Sequence, residues 1–294
     1  MKKIIIAGGT GFIGKYLEAK FKELGYNVII VSRRQGFVNW TDKNKLIESL
    51  NDAEILINLA GKSVDCRYTE KNKAKIFSSR IETTKILGDI IQQCINPPKL
   101  WINSGTATIY RHAEDKPMTE STGEIGEGFS VNVAKAWEKS FFDYQLPNTR
   151  QVLLRIAIVL GKDEGVMKPL KNLVRFGLGG KQGNGNQMFS WIHIEDLFRI
   201  ILFINENKNL QDVFNCSAPN PVTNKFLMQK LRQYMRINIG LPSPKWLLEF
   251  GALLIKTETE LILKSRWVLP ERLLNENYKF LYSTIDNALS NLIN

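Results

Sequence analysis

The chain has 294 residues, 44% of them apolar, and a formal charge of +11. That length suits one large or two modest domains with a real core, and no apolar run reaches the roughly 18 residues of a membrane span. The basic residues are spread along the chain, and Cys66, Cys94 and Cys216 lack metal-ligand spacing. Composition therefore points away from nucleic acid, membrane and bound metal, and toward a reducing cytoplasm. Two lysines lead straight into an apolar strand, with no sign of a secretion signal.

The first element is an apolar strand near residues 2–7. It runs into a turn with Gly8, Gly11 and Gly14 spaced three apart, then a helical pattern over 12–24 and a second strand near 27–32. This is a βαβ unit opened by a dinucleotide-binding turn. Gly8 allows the tight turn, Gly11 lets backbone N–H groups approach a pyrophosphate, and Gly14 permits close packing. The helix N-terminus faces the phosphates with unsatisfied N–H groups. Thr10, Phe12 and Ile13, between the glycines, are expected cofactor contacts with them.

The second strand ends Val31-Ser32-Arg33-Arg34, and no Asp or Glu occurs between Glu23 and Asp42. An acidic residue here would bind the ribose 2′-hydroxyl of NAD; a basic one accommodates the 2′-phosphate of NADP. Arg33 and Arg34 thus predict NADP(H), with NAD the alternative.

Further strands are expected near 37–40, 53–59, 99–104 and 150–160, and helices near 42–50, 71–94 and 130–145. The alternation predicts an α/β fold: a doubly wound parallel sheet with right-handed crossovers. Residues 1–160 form the expected dinucleotide-binding (Rossmann) domain, and 161–294 a smaller C-terminal substrate lobe. Within the latter, Met188–Ile192 and Val213–Cys216 read as strands and Ile194–Asn205 as a helix, with 190–217 returning to the first domain. A glycine-rich loop fills 177–185, an amphipathic helix 222–236, and short helices follow from Pro242, including Trp246–Ile255 and one near 283–293.

These motifs resemble the extended short-chain dehydrogenases/reductases, which include the nucleotide-sugar epimerases and dehydratases. The resemblance rests on the glycine turn, on Asn58-Leu59-Ala60-Gly61 and on Thr106-Ala107-Thr108-Ile109-Tyr110. A subgroup of atypical, epimerase-like proteins with a C-terminal domain of unknown function is closer still. Its marks include Ser79-Arg80-Ile81, Trp137-Glu138, Ser190-Trp191-Ile192-His193-Ile194-Glu195-Asp196 and Val268-Leu269-Pro270. The resemblance implies backbone contact with the cofactor at Leu59, Ala60 and Gly61, a contribution from Arg80, and a catalytic hydroxyl at Thr106.

Working members of the superfamily pair that hydroxyl with Tyr-x-x-x-Lys, a spacing that occurs nowhere in this chain. Lys135 is one candidate for the lysine, with Val131 four residues before it; a register shifted by one gives Ser130 and Ala134. Tyr110, four residues past Thr106, is the candidate replacement for the tyrosine. Arg80, Ile158 and Phe189 stand where the epimerases place polar contacts for the active site and sugar diphosphate. The expected function is an NADP(H)-binding atypical oxidoreductase or epimerase-like protein acting on a small polar molecule. The alternative is a catalytically silent NADP(H)-binding sensor.

Overall fold

The computed structural model describes residues 1–244 and 263–293. In chain order its first half comprises β1 (Lys3–Ala7), α1 (Phe12–Glu23), β2 (Asn27–Val31), α2 (Lys43–Leu50), β3 (Ala53–Asn58), α3 (Glu70–Ile91), β4 (Leu100–Thr106), α4 (Phe129–Phe142) and β5 (Arg150–Ile156). The second lobe begins with β6 (Ile158–Gly161), β7 (Glu164–Gly165), α5 (Met167–Arg175), β8 (Met188–Phe189) and β9 (Trp191–His193). The remainder is α6 (Ile194–Glu206), β10 (Asp212–Cys216), β11 (Val222–Thr223), α7 (Asn224–Tyr234), α8 (Glu271–Asn275) and α9 (Ile285–Ile293).

Six strands form one parallel sheet in the order β10-β5-β4-β3-β1-β2. Apolar side chains cover both of its faces, which is why its strands read as unbroken apolar runs. Along β1 the side chains alternate: Ile4 and Ile6 join Phe21, Ile57 and Phe198 on one face, and Ile5 and Ala7 join Leu56, Leu87, Trp101 and Phe141 on the other. Side-chain caps start several helices: Asp42 accepts from Lys45 N–H, Thr69 from Asn72 N–H and Thr223 from Phe226 N–H.

The expected strand 150–160 is broken at Ala157. The Ala157 N–H donates to the Cys216 carbonyl (3.0 Å), whereas the Ile158 N–H donates to Ser190 (3.3 Å). One stretch of chain therefore serves two sheets, with β5 in the central one and β6 between β7 and β9. The expected strand 188–192 breaks similarly at Ser190, whose N–H and hydroxyl both donate to the Arg266 carbonyl. Near 37–40 only an isolated bridge forms, between Val38 and Val31.

The chain after residue 160 serves both parts of the molecule. β10 closes the edge of the central sheet, and α6 packs Leu197, Phe198 and Ile201 into the same core as Ile4. Leu273 and Tyr278 share that core too. The second lobe has its own, formed by Leu160, Val174, Trp191, Leu227 and Leu289. The expected helix Trp246–Ile255 lies outside the described residues. Among the described residues no helix is long and apolar enough to cross a membrane.

Candidate cofactor cleft and active site

A long cleft follows the carboxyl ends of β1–β4, where ligands bind in open parallel sheets. Its outer part, about 850 Å3, is lined by Gly8, Thr10, Gly11, Arg33, Arg34, Leu59, Ala60 and Gly61. Its inner part, about 470 Å3, is lined by Phe12, Ile13, Gly14, Arg80, Thr106 and the inward side of α4.

The three glycines of the turn do different work. Gly8 has φ +77°, and a Cβ there would meet Ala60 backbone at 2.7 Å. A Cβ on Gly14 would strike Gly9 backbone at 2.5 Å. At Gly11 the nearest atom to an added Cβ is 3.8 Å away, so protein packing does not demand a glycine there. The space it leaves belongs to the cleft, as a ligand cradle requires. Gly9 had no assigned role in the sequence, yet a Cβ there would press on Ile30 at 2.5 Å.

At the outer end Arg33 and Arg34 are exposed, and among the described residues neither joins a salt bridge. Lys62 and Lys75 border the same space. This electropositive pocket at the end of β2 matches the charge of a 2′-phosphate. The loop after β3 is held at its base: Asn58 Oδ1 accepts from Ala60 N–H (3.1 Å), and Asn58 Nδ2 donates to Asn103 (2.7 Å) and Thr84 (3.2 Å).

At the inner end Thr106 closes β4. Its Oγ1 accepts from Thr108 N–H at 3.1 Å, capping the short 3-10 turn that follows and fixing the hydroxyl's position. Thr106 borders both the inner cleft and a further cavity of about 490 Å3 beyond it. Arg80 projects from α3 into the inner cleft, where its Nη1 donates to the carbonyls of Lys62 (3.1 Å) and Ile76 (3.0 Å). Burial pulls its guanidinium below the ordinary value, and the neighbouring Tyr68 phenol pushes the other way. Tyr68 lines the same space and packs edge-on against Phe129, with centroids 5.1 Å apart.

Two expected catalytic residues are elsewhere. Lys135 is exposed on the outer side of α4; the residues that α4 turns to the cleft are Phe129, Ser130, Val133, Ala134 and Trp137. The shifted register is thus the one in the structure, and it offers a serine and an alanine. Tyr110 is 2% exposed and borders none of these cavities. Its hydroxyl donates to Asn215 Oδ1 (3.0 Å) and accepts from Arg155 Nη1 (2.8 Å). Arg155 also grips Glu138 through two bonds of 2.9 and 2.7 Å. Tyr110 therefore braces β5, β10 and α4, and burial raises its pKa further from use.

His193 is likewise structural. Its Nδ1 accepts from Glu195 N–H (3.1 Å) to cap α6, its Nε2 meets Asn291 Oδ1 (3.2 Å), and its ring lies 3.8 Å from that of Tyr282. Burial depresses its pKa to about 4. Asp196 accepts from Leu281 N–H and Tyr282 N–H, both at 2.8 Å. His112 Nδ1 accepts from Ser265 N–H (3.1 Å) and tethers the C-terminal segment.

Residues 4–217 match the NAD dependent epimerase/dehydratase family. The chain belongs to this family. Residues 243–292 match a domain of unknown function, DUF1731. The epimerase family protein YfhF of Bacillus subtilis (strain 168) is 32% identical over 299 residues, covering 99% of this chain and 97% of its own. The crystal structure of human epimerase family protein SDR39U1 (isoform 2), which contains NADPH, superposes over 99% of both chains with a TM-score of 0.89 at 29% identity. A nucleoside-diphosphate sugar epimerase from Corynebacterium glutamicum is 27% identical, with a TM-score of 0.80 over 99% of this chain and 58% of its own. The fold and the extended short-chain dehydrogenase/reductase character expected from the glycine turn both hold.

Proposed function

We propose that this protein binds NADP(H) in the long cleft and acts as an atypical oxidoreductase or epimerase-like enzyme on a small polar molecule that enters beside Thr106. The observation that carries the reading is the pairing of two features at opposite ends of one cleft. Arg33 and Arg34 line the outer end with charge that suits a 2′-phosphate, and Thr106 lines both the inner cleft and a second cavity. The NADPH held by the human relative supports the same cofactor.

When bound, the cofactor supplies the hydride chemistry. The chain supplies position, charge and a proton. Gly8, Gly11 and the α1 N-terminus would receive the pyrophosphate. The Thr106 O–H, whose oxygen already accepts from Thr108, points its proton at the reacting oxygen of the substrate. Tyr68 is the phenol within this cleft and Arg80 the adjacent fixed cation. Tyr68 would give its proton to that oxygen. These two residues take over the duties that Ser130 and Ala134 cannot perform.

Isothermal titration with NADPH and NADH, followed by absorbance of bound NADPH against aldehydes, ketones and sugar derivatives, tests the reading. The expected result is at least about tenfold preference for NADPH and oxidation by one carbonyl class. Equal nucleotide affinities would sink the cofactor assignment. The presence of Ser130 and Ala134 in the cleft favours a second reading, a sensor that holds NADP(H) without turnover. Tight NADPH binding with no oxidation by any class would support it.

A further inference from the structure

Beyond Thr106, the cavity of about 490 Å3 has apolar walls of Val64, Ile158, Val166 and Pro169, with Ser63, Asp65, Thr108 and Arg266 also on its lining. Ile158, Val166 and Arg266 also border a smaller void of about 40 Å3, which Gln182, Gln187, Asn224 and Lys264 help enclose. The small void thus adjoins the larger cavity, with these three side chains common to both linings.

Hydrogen bonds fix the orientation of both glutamines. Gln182 N–H donates to Asn224 Oδ1 (2.9 Å), so the other Asn224 amide atom is its nitrogen, which donates to Gln182 Oε1 at 2.8 Å. Gln182 Nε2 is the atom left over. Gln187 Nε2 donates to the Gln182 carbonyl (2.9 Å), leaving Gln187 Oε1. Both residues are nearly inaccessible, 2% and 3% exposed, and among the described residues neither leftover atom has a partner. Folded proteins rarely bury such atoms without something to satisfy them. A void of this size has room for about one water or one hydroxyl-sized group.

We propose that the cavity extends into this void as a subsite for the far end of the substrate, and that the void takes a neutral group able both to donate and to accept a hydrogen bond, a hydroxyl. The proposal rests on the reading above that the reacting carbonyl lies at Thr106. Gln182 Nε2 would donate to this group and Gln187 Oε1 would accept from it. Of the two cations on this lining, Lys264 Nζ donates to the Thr108 carbonyl (3.0 Å) and Arg266 Nε to Thr108 Oγ1 (3.2 Å), whereas a carboxylate, which only accepts, would set an anion against Gln187 Oε1. The apolar walls between the two ends suit a short carbon chain. The substrate class is therefore a short-chain carbonyl compound with a distal hydroxyl.

Three probes of one shape test this: 5-hydroxy-2-pentanone, 2-pentanone and levulinate, titrated by ligand-observed NMR with and without NADPH. We expect 5-hydroxy-2-pentanone to bind at least about tenfold tighter than the other two, the discrimination that an unpaired buried group imposes. Gln182→Met and Gln187→Met should each abolish the preference and leave NADPH affinity unchanged within about threefold. Equal binding of all three, tighter binding of levulinate, or a preference that survives both substitutions would overturn the proposal. So would a crystal structure in which a water bound to both glutamines stays in place in the presence of 5-hydroxy-2-pentanone. NADPH affinity is read in the same samples. Its loss would count against the cofactor reading alone, because the probe preference is also read without nucleotide.

Discussion

The guanidinium of Arg80 lies over the ring of Trp137, 5.2 Å from its centroid. Trp137 is itself held, its Nε1 donating to Thr84 Oγ1 at 3.0 Å, while Thr84 Oγ1 donates to the Arg80 carbonyl at 2.8 Å. The ring thus fixes a cation inside the cleft by a contact between α3 and α4. Such a contact is worth roughly 0.5–2 kcal/mol. Trp137→Leu should loosen Arg80 and weaken NADPH binding by about threefold to tenfold. Titration calorimetry reads this directly, and unchanged affinity would show that the stack does not position the cation.

Arg33 and Arg34 should act on one nucleotide only. Replacing both with alanine should weaken NADPH by about tenfold to a hundredfold, the worth of charge-assisted contacts to a phosphate. NADH, which lacks that phosphate, should bind as before. Parallel loss of both nucleotides would place the phosphate elsewhere.

Gly11 and Gly14 should fail in different ways. An added Cβ at Gly11 has open space around it, so Gly11→Val should leave the melting temperature near wild type and block nucleotide binding. At Gly14 the added Cβ meets Gly9 backbone at 2.5 Å, so Gly14→Ala should destabilise the fold by about 1–3 kcal/mol before any ligand is present. Thermal melts of both variants without nucleotide separate the two effects.

Thr106→Ala should lower turnover of any carbonyl substrate by about 10²–10³, because one donor to the developing oxyanion is lost. NADPH affinity should stay within about threefold. Tyr68→Phe should lower turnover by about 10²–10⁴, the span typical of a lost general acid. Wild-type rates for both would move the chemistry away from this end of the cleft.

His193 carries a pH signature. Burial holds its folded pKa near 4, below the ordinary 6.5, so folding favours the neutral ring. The stability linked to this preference is complete above pH 6.5 and is lost as pH falls toward 4. It amounts to about 3 kcal/mol. Between pH 7 and 4.5 the wild type should therefore lose more unfolding free energy than His193→Gln. Denaturant titrations at both pH values measure the difference, and identical slopes would contradict it.

The outer cleft was legible in the sequence because each part depends on a few adjacent residues. A strand that ends in Arg33-Arg34, a glycine turn and a threonine at a strand end stay where the local chain puts them. Lys135 and Tyr110 were misplaced because their directions depend on distant partners. Tyr110 swings toward Asn215 and Arg155, 105 and 45 residues away. The phase of α4 did leave a signal: Ala134, Trp137 and Phe141 fall at helical spacing on one side, which puts Lys135 outside. Tyr68 sits in a loop placed by its packing on Phe129, and no local pattern marks that contact. The glutamine subsite depends on loops and strands folding together, so nothing in the flanking sequence announces it.

Leu273 and Tyr278 fill the same core as Ile4 and Ile6. During synthesis, then, the first strand leaves the ribosome long before the side chains that complete its packing exist. The edge strand β10 is also late. A nascent chain ending at residue 160 would hold the glycine turn and most of the sheet, with one face lacking Phe198, Ile201, Phe214 and Tyr278. Such a fragment has an exposed apolar surface and an unpaired strand edge, the features that draw chaperones and promote aggregation. Competence to bind nucleotide should therefore arise only once residues 273–278 have emerged from the ribosome.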